Sequence, residues 1–147
     1  MRFELQEITK YFTDSEKNTQ DLASNFAKNI ELGSMIALVG NLGAGKTVFV
    51  RGFARGLGIT DIICSPTFSI IREYPCKNSK WMYHMDLYRI NDSATALDFG
   101  IQEYISRPDA ITLIEWPERI YDILPKEIIQ VEIKRISDTK REITITK

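Results

Sequence analysis

MIALVGNLGAGKTVFVRGFARGLG, residues 35–58, is the stretch that decides the fold. Inside it, GNLGAGKT (residues 40–47) meets the pattern G-x-x-x-x-G-K-[ST] at every fixed position. The five residues before it, MIALV, are a short continuous apolar run, as a strand buried on both faces requires. Behind Lys46, the residues Val48, Phe49, Val50, Phe53, Ala54 and Leu57 recur at helical spacing, and Gly58 ends the helix. Strand, glycine-rich loop and helix form the context that turns the pattern into a credible phosphate cradle. With glycine at ~7% of average composition, the bare pattern arises by chance in fewer than about one in a hundred chains of this length. A glycine-rich turn that merely joins a strand to a helix is therefore the weaker alternative. The backbone N–H groups of Gly40, Asn41, Leu42, Gly43, Ala44 and Gly45 are expected to face phosphates together with the helix N-terminus. Lys46 is expected to neutralise the β and γ phosphates, and the Thr47 hydroxyl to ligate Mg²⁺.

A site that hydrolyses a nucleotide also needs a carboxylate beside the metal, usually at the end of a neighbouring strand. AITLIEW offers an apolar, β-rich run ending at Glu115, and WMYHMDLYR a strand-like segment ending at Asp86. Parallel sheets place ligands at the carboxyl ends of their strands, so both acids are within reach of the phosphates. The Ile111–Ile114 run reads as an interior strand, which makes Glu115 the metal-side residue; Asp86 then orients water or a neighbouring group. The alternative for each is a solvated acid at a strand end. Between the loop and these acids lies SPTF, residues 65–68. Pro66 biases Ser65 towards an extended backbone. Thr67 is then a candidate switch residue that ligates Mg²⁺ and senses the γ-phosphate, against the alternative of an ordinary Ser-Pro turn leading into a strand over residues 68–71.

Composition narrows the class. The 147 residues carry 19 Lys plus Arg against 20 Asp plus Glu, so no global basic field exists for gripping nucleic acid. The length suits a single domain over residues 1–147. The opening MRFELQEITKYF is broken by Arg2, Glu4 and Glu7 and is not expected to act as a signal peptide, and no 18-residue apolar stretch occurs. Cys64 and Cys76 stand 12 apart, without CxxC and with one histidine in the chain, which reads as two reduced thiols. The expected location is the cytoplasm, with no membrane association.

Working outward, Thr13 to Glu16 reads T-x-x-E, a capping-box signature, followed by Leu22, Ala23, Phe26, Ala27 and Ile30 at helical spacing and closed by Gly33. The tail QVEIKRISDTKREITITK reads as two alternating strands about a polar SDTK turn, with Val131, Ile133, Ile143 and Ile145 on one buried face. The expected fold is α/β: a P-loop NTPase-like α/β/α domain of three layers, its sheet mostly parallel with an antiparallel C-terminal hairpin.

GNLGAGKT, SPTF, HMDLYR and IEWPER, in this order and at about these spacings, resemble the bacterial TsaE (YjeE) family, and DFGIQEY resembles that family's segment between its third and fourth motifs. The resemblance covers about residues 13–121; the C-terminal part matches loosely, and Asn41 stands where many members carry an acidic residue. It implies a P-loop ATPase needed for threonylcarbamoyladenosine (t6A) modification of tRNA, with ATP and Mg²⁺ held through Lys46, Thr47 and Glu115. It further implies functional roles for Asp86 and Trp116, a nucleotide-binding set that takes in Glu118 of IEWPER, and a contact from Arg141 near the base. Its implied partners are the TsaD- and TsaB-like proteins that modify adenosine 37, with tRNA reached through that complex.

Other residues invite chemistry less strongly. His84, beside Asp86, reads first as a hydrogen-bonded core or hinge residue, and Trp116 either lines the nucleotide pocket or packs the core. Arg89 and Arg119 are candidates for phosphate charge with surface arginine as the alternative, while Arg51 and Arg55 read as the solvated face of their helix. Against the ATPase stand a small-molecule P-loop kinase, which needs an arginine-bearing lid that is not apparent, and a nucleotide-dependent switch or scaffold that hardly hydrolyses. No N-K-x-D sequence follows the loop, which disfavours that mode of guanine recognition.

Overall fold

Among the described residues (6–61, 63–64, 70–105 and 107–147 of a computed structural model) seven strands form one sheet. They are β1 (Ile8–Thr13), β2 (Met35–Val39), β3 (Ile71–Pro75), β4 (Trp81–Asp86), β5 (Ala110–Glu115), β6 (Ile129–Arg135) and β7 (Arg141–Thr146), in spatial order β1-β7-β6-β2-β5-β4-β3. The four central strands β6, β2, β5 and β4 run parallel. Strand β5 is buried along its whole length and β2 except at Val39, which is why both read as unbroken apolar runs rather than as alternation. The tail forms the expected hairpin, with Val131, Ile133, Ile143 and Ile145 buried. It is not the sheet's edge, however, because β1 adds a further antiparallel strand outside β7. A second antiparallel pair, β3 with β4, closes the opposite side.

Among the described residues three α-helices accompany the sheet: α1 (Glu16–Ala27), α2 (Lys46–Gly56) and the short α3 (Ser93–Asp98). Two expectations about α1 need correcting. Its cap is Ser15, whose hydroxyl accepts from the Asn18 amide at 3.0 Å, whereas Thr13 belongs to β1 and bonds its hydroxyl to that of Thr19 at 2.7 Å. The helix also stops at Ala27, well short of Gly33, which instead turns the chain into β2 at φ +89.

Strand alternation divides the core between two faces. Ile36, Leu38, Ile111, Leu113, Val131 and Ile133 point to the layer of α1 and α2, where Phe26, Phe49 and Phe53 pack ring against ring. Each buried phenylalanine contributes about 1.5–3 kcal/mol. Met35, Met85 and Ile114 face the other side, where Leu87, Ala96 of α3, Ile101 and Ile120 complete a second cluster. That third layer is built from α3 and 3-10 turns at Ile101–Glu103, Pro117–Arg119 and Tyr121–Ile123. Helices α1 and α2 touch backbone to backbone: a Cβ added at Gly52 would stand 2.3 Å from the Gln20 carbonyl oxygen, and one at Gly56 2.3 Å from that of Ser24.

Candidate functional site

The loop between β2 and α2 is shaped by its glycines. A Cβ at Gly40 would lie 2.8 Å from the Ile133 carbonyl oxygen, so β6 leaves no room there for a side chain. Gly43 and Gly45 adopt φ +79 and +109, a region open to glycine at little cost. The Ala44 amide bonds back to the Asn41 carbonyl at 3.0 Å, which closes the turn. Gly45 is the N-cap of α2 and offers no side chain to the helix's first amides, an arrangement that suits an anion.

Lys46 is 6% exposed, and its ammonium stands 4.3 Å from the centroid of the Trp116 ring. Among the described residues no carboxylate forms an ion pair with it. A buried cation with no ion-pair partner among the described residues is costly, and an anionic ligand would relieve it. Trp116 itself sits in the left-handed region (φ 59, ψ 49), which costs a bulky residue about 1–3 kcal/mol and marks a constrained position. The rings of Trp116 and Tyr88 lie 5.2 Å apart, and the Arg119 guanidinium carbon lies 5.6 Å from the Trp116 centroid.

The two expected acids meet at the carboxyl ends of adjacent strands: Asp86 and Glu115 are register partners in the parallel pair β4–β5, and Glu115 is also paired with Leu38 of β2. Asp86 accepts a hydrogen bond from the Tyr88 amide at 3.0 Å. Burial raises the Asp86 carboxyl above the ordinary carboxylate range, and the Glu115 charge adds to the effect; the Tyr88 amide and the Lys46 cation work against it. Glu115 is 4% exposed, and its Oε2 lies 2.7 Å from His84 Nε2. The expected hydrogen-bonded core role of His84 thus holds, with the candidate metal-side carboxylate as its partner.

A cavity of about 400 Å³ joins these groups, with Leu42, Gly43, Gly45, Lys46, Thr47, Asp86, Glu115, Trp116 and Arg141 all on its wall. Among the described residues no three His, Cys, Asp or Glu side chains form a metal cage. One hydroxyl and two carboxylates beside an anion cradle match Mg²⁺, which takes few protein ligands and completes its shell with phosphate oxygens and water.

Not every expected residue is drawn together. Gly40, Asn41, Ala44 and Glu118 line a neighbouring hollow beside Lys134 and Arg135, outside the main cavity. Arg141 donates from Nε to the Ala44 carbonyl at 2.7 Å and from Nη1 to the Ser137 carbonyl at 2.7 Å, so it pins the loop to the β6–β7 turn. Thr67 and the rest of SPTF lie outside the described residues. Arg89, Arg51 and Arg55 are exposed, and Arg55 pairs with Asp21 at 2.7 Å. Cys64 and Cys76 are free thiols. Among the described residues no helix is long and apolar enough to cross a membrane.

The cavity also has walls that sequence reasoning missed: Ser15, Glu16 and Thr19 from the start of α1, Tyr88 after β4, and Asp138 and Thr139 from the hairpin turn. The signals were present, since a helix cap and a polar turn are both legible, but they carry no hint that β1 and β7 bring them together beside the loop.

Comparison with known proteins places this architecture. The family model described as "Threonylcarbamoyl adenosine biosynthesis protein TsaE" matches residues 13–143. A Bacillus subtilis protein named tRNA threonylcarbamoyladenosine biosynthesis protein TsaE is 44% identical over 137 residues, covering 93% of this chain and 84% of the relative. A Treponema pallidum protein of the same name is 37% identical over 131 residues, covering 89% and 95%. Among solved structures, the crystal structure of Bacillus subtilis YdiB superposes with a TM-score of 0.81 at 38% identity, covering 98% of this chain and 88% of that one. On a family match spanning most of the sequence, and on relatives alike over most of their length, the chain belongs to the TsaE family.

Proposed function

We propose that this protein binds ATP with Mg²⁺ in the cavity at the strand ends, hydrolyses it slowly, and serves threonylcarbamoyladenosine formation at adenosine 37 of tRNA. It works in the cytoplasm within a complex that includes TsaD- and TsaB-like proteins. The role in tRNA modification follows the names carried by its relatives. The observation that carries the ATPase reading is the buried Lys46 ammonium, held against Trp116 at the mouth of a glycine loop, in one cavity with Thr47, Asp86 and Glu115.

The loop amides bind and orient the phosphate chain, and Lys46 leaves the Trp116 ring to neutralise it. Thr47 and Glu115 would hold the metal side, where Mg²⁺ would supply charge neutralisation for the phosphates. Asp86, with its carboxyl raised by burial, is suited to hold or pass the proton of an attacking water. Arg141 is the one arginine lining the cavity among the described residues, and its guanidinium is committed to carbonyl oxygens. A site without an arginine available for the transition-state charge turns over slowly until a partner completes it.

The test is phosphate release by the purified chain, alone and with TsaD- and TsaB-like proteins and unmodified tRNA. Slow release that rises on adding the partners is expected. Fast turnover indifferent to partners overturns partner activation. Transfer of phosphate to a small acceptor supports the kinase instead, and full function of a Glu115→Gln variant supports the scaffold.

A further inference from the structure

His84 is the one histidine in the chain, and it is fully buried on β4, two residues before Asp86. Its Nε2 meets Glu115 Oε2 at 2.7 Å, across to the end of β5. Its other nitrogen, Nδ1, has no hydrogen-bond partner among the described residues. Toward an ionised Glu115, which only accepts, Nε2 carries the hydrogen that makes the bond.

We propose that His84 is a positioning residue for Glu115: through Nε2–H it ties down one carboxylate oxygen and leaves the other for the cavity that Glu115 lines. The ring is closed in on every side and cannot follow a carboxylate that swings, so it sets the rotamer. This is the arrangement by which buried partners orient metal-side groups, and removing such a partner typically costs about 10–100-fold in metal affinity or activity. The inference rests on the ATPase reading for its kinetic consequence, while the contact and the Nε2 proton stand apart from it.

The experiment uses tag-free, ¹⁵N-labelled full-length chain, in which one histidine gives one imidazole spin system. Long-range ¹H–¹⁵N correlation at neutral pH should find a proton on Nε2. A proton on Nδ1 alone overturns the proposal. Two variants then read the role. His84→Leu should lower kcat roughly 10–100-fold and raise the Mg²⁺ concentration that half-saturates nucleotide binding, while nucleotide binding in EDTA stays as in the parent. His84→Gln, which keeps a donor near the position of Nε2, should recover most of both. Equal behaviour of the Leu and Gln variants, or a loss confined to metal-free nucleotide binding, overturns it. If the parent chain hydrolyses nothing, alone or with its partners, the ATPase reading falls, and the Nε2 proton with the Mg²⁺ dependence of binding still decides for or against His84.

Discussion

The Lys46 ammonium stands 4.3 Å from the centroid of the Trp116 ring, which links the phosphate loop to the residue that follows the β5 carboxylate. Neither partner is at ease. The lysine is buried with no carboxylate paired to it among the described residues, and the tryptophan holds a left-handed backbone. An anion that draws Lys46 into the cradle therefore changes the surroundings of the indole.

Intrinsic fluorescence should report that exchange. Trp81, at the opposite end of β4 and stacked on Tyr83, is remote from the loop. Trp116→Phe should abolish the emission change on adding ATP with Mg²⁺, and Trp81→Phe should keep it. Lys46→Ala should weaken binding at least ~10-fold, the scale of a charge-assisted hydrogen bond worth about 1.5–3 kcal/mol. A response that survives in Trp116→Phe and disappears in Trp81→Phe would put the nucleotide elsewhere.

The contact between α1 and α2 makes a second prediction. Gly52 and Gly56 lie one turn apart, and the nearest atoms facing each are backbone, which cannot swing aside as a side chain can. Gly52→Ala should destabilise the fold by about 1–3 kcal/mol or more, the range for overpacking a well-filled interior. Gly43→Ala, with nothing within 4 Å of its added Cβ, should cost through its positive φ alone. Urea unfolding of the two variants distinguishes the causes, and a Gly52→Ala chain as stable as the parent would refute the close packing.

Much of this was legible in the sequence because the decisive groups are local. The candidate cradle is eight consecutive residues, and β5 announces itself as an apolar run ending in one acid. The cap of α1 was misread because Thr13 and Ser15 both precede a plausible helix start, and the choice depends on β1, which takes Thr13 into the sheet. Strand β1 escaped notice for a physical reason: of its six residues only Thr13 is buried, so it shows no one-sided pattern. The cavity walls from Ser15, Glu16, Thr19, Asp138 and Thr139 depend on the β1–β7 register, a long-range pairing that no local signal encodes. The acids fall between these cases: each strand end was readable, but their pairing side by side is a property of the sheet order.

The metal side should separate from the rate. Thr47→Ala should weaken nucleotide binding in Mg²⁺ far more than in EDTA, since in the proposed site the hydroxyl serves the ion rather than the phosphates directly. Glu115→Gln should bind ATP yet turn it over at least ~100-fold more slowly, the scale of one well-placed catalytic group. Titration of nucleotide with and without metal, beside single-turnover hydrolysis, reads both. Equal losses with and without Mg²⁺ in Thr47→Ala would remove it from the metal's shell.

Asp86 carries a prediction about stability as well as rate. Burial is the main reason its carboxyl is raised above the ordinary carboxylate range, with the Glu115 charge adding to it and the Tyr88 amide and Lys46 opposing. Between the ordinary value and the raised one, the folded chain therefore holds more protons than the unfolded chain. Stability contributed by this group is then greatest at low pH and falls as pH rises through that window, the reverse of a carboxylate held low by a cation. Above the window the ionised group is a standing cost to the fold. Asp86→Asn keeps an oxygen to accept the Tyr88 amide and removes the charge. In the absence of metal and nucleotide it should melt above the parent at neutral pH, and the gap should close as pH drops below the ordinary carboxylate range, where both side chains are neutral. The same variant should hydrolyse ATP more slowly, so that the gain in stability comes with a loss of function, as expected where a site keeps a charge the fold alone would discard. Thermal melts of the two chains across pH, read beside their turnover, make the check. An asparagine variant less stable than the parent at neutral pH, with the gap widening as pH rises, would mean that the Asp86 charge supports the fold.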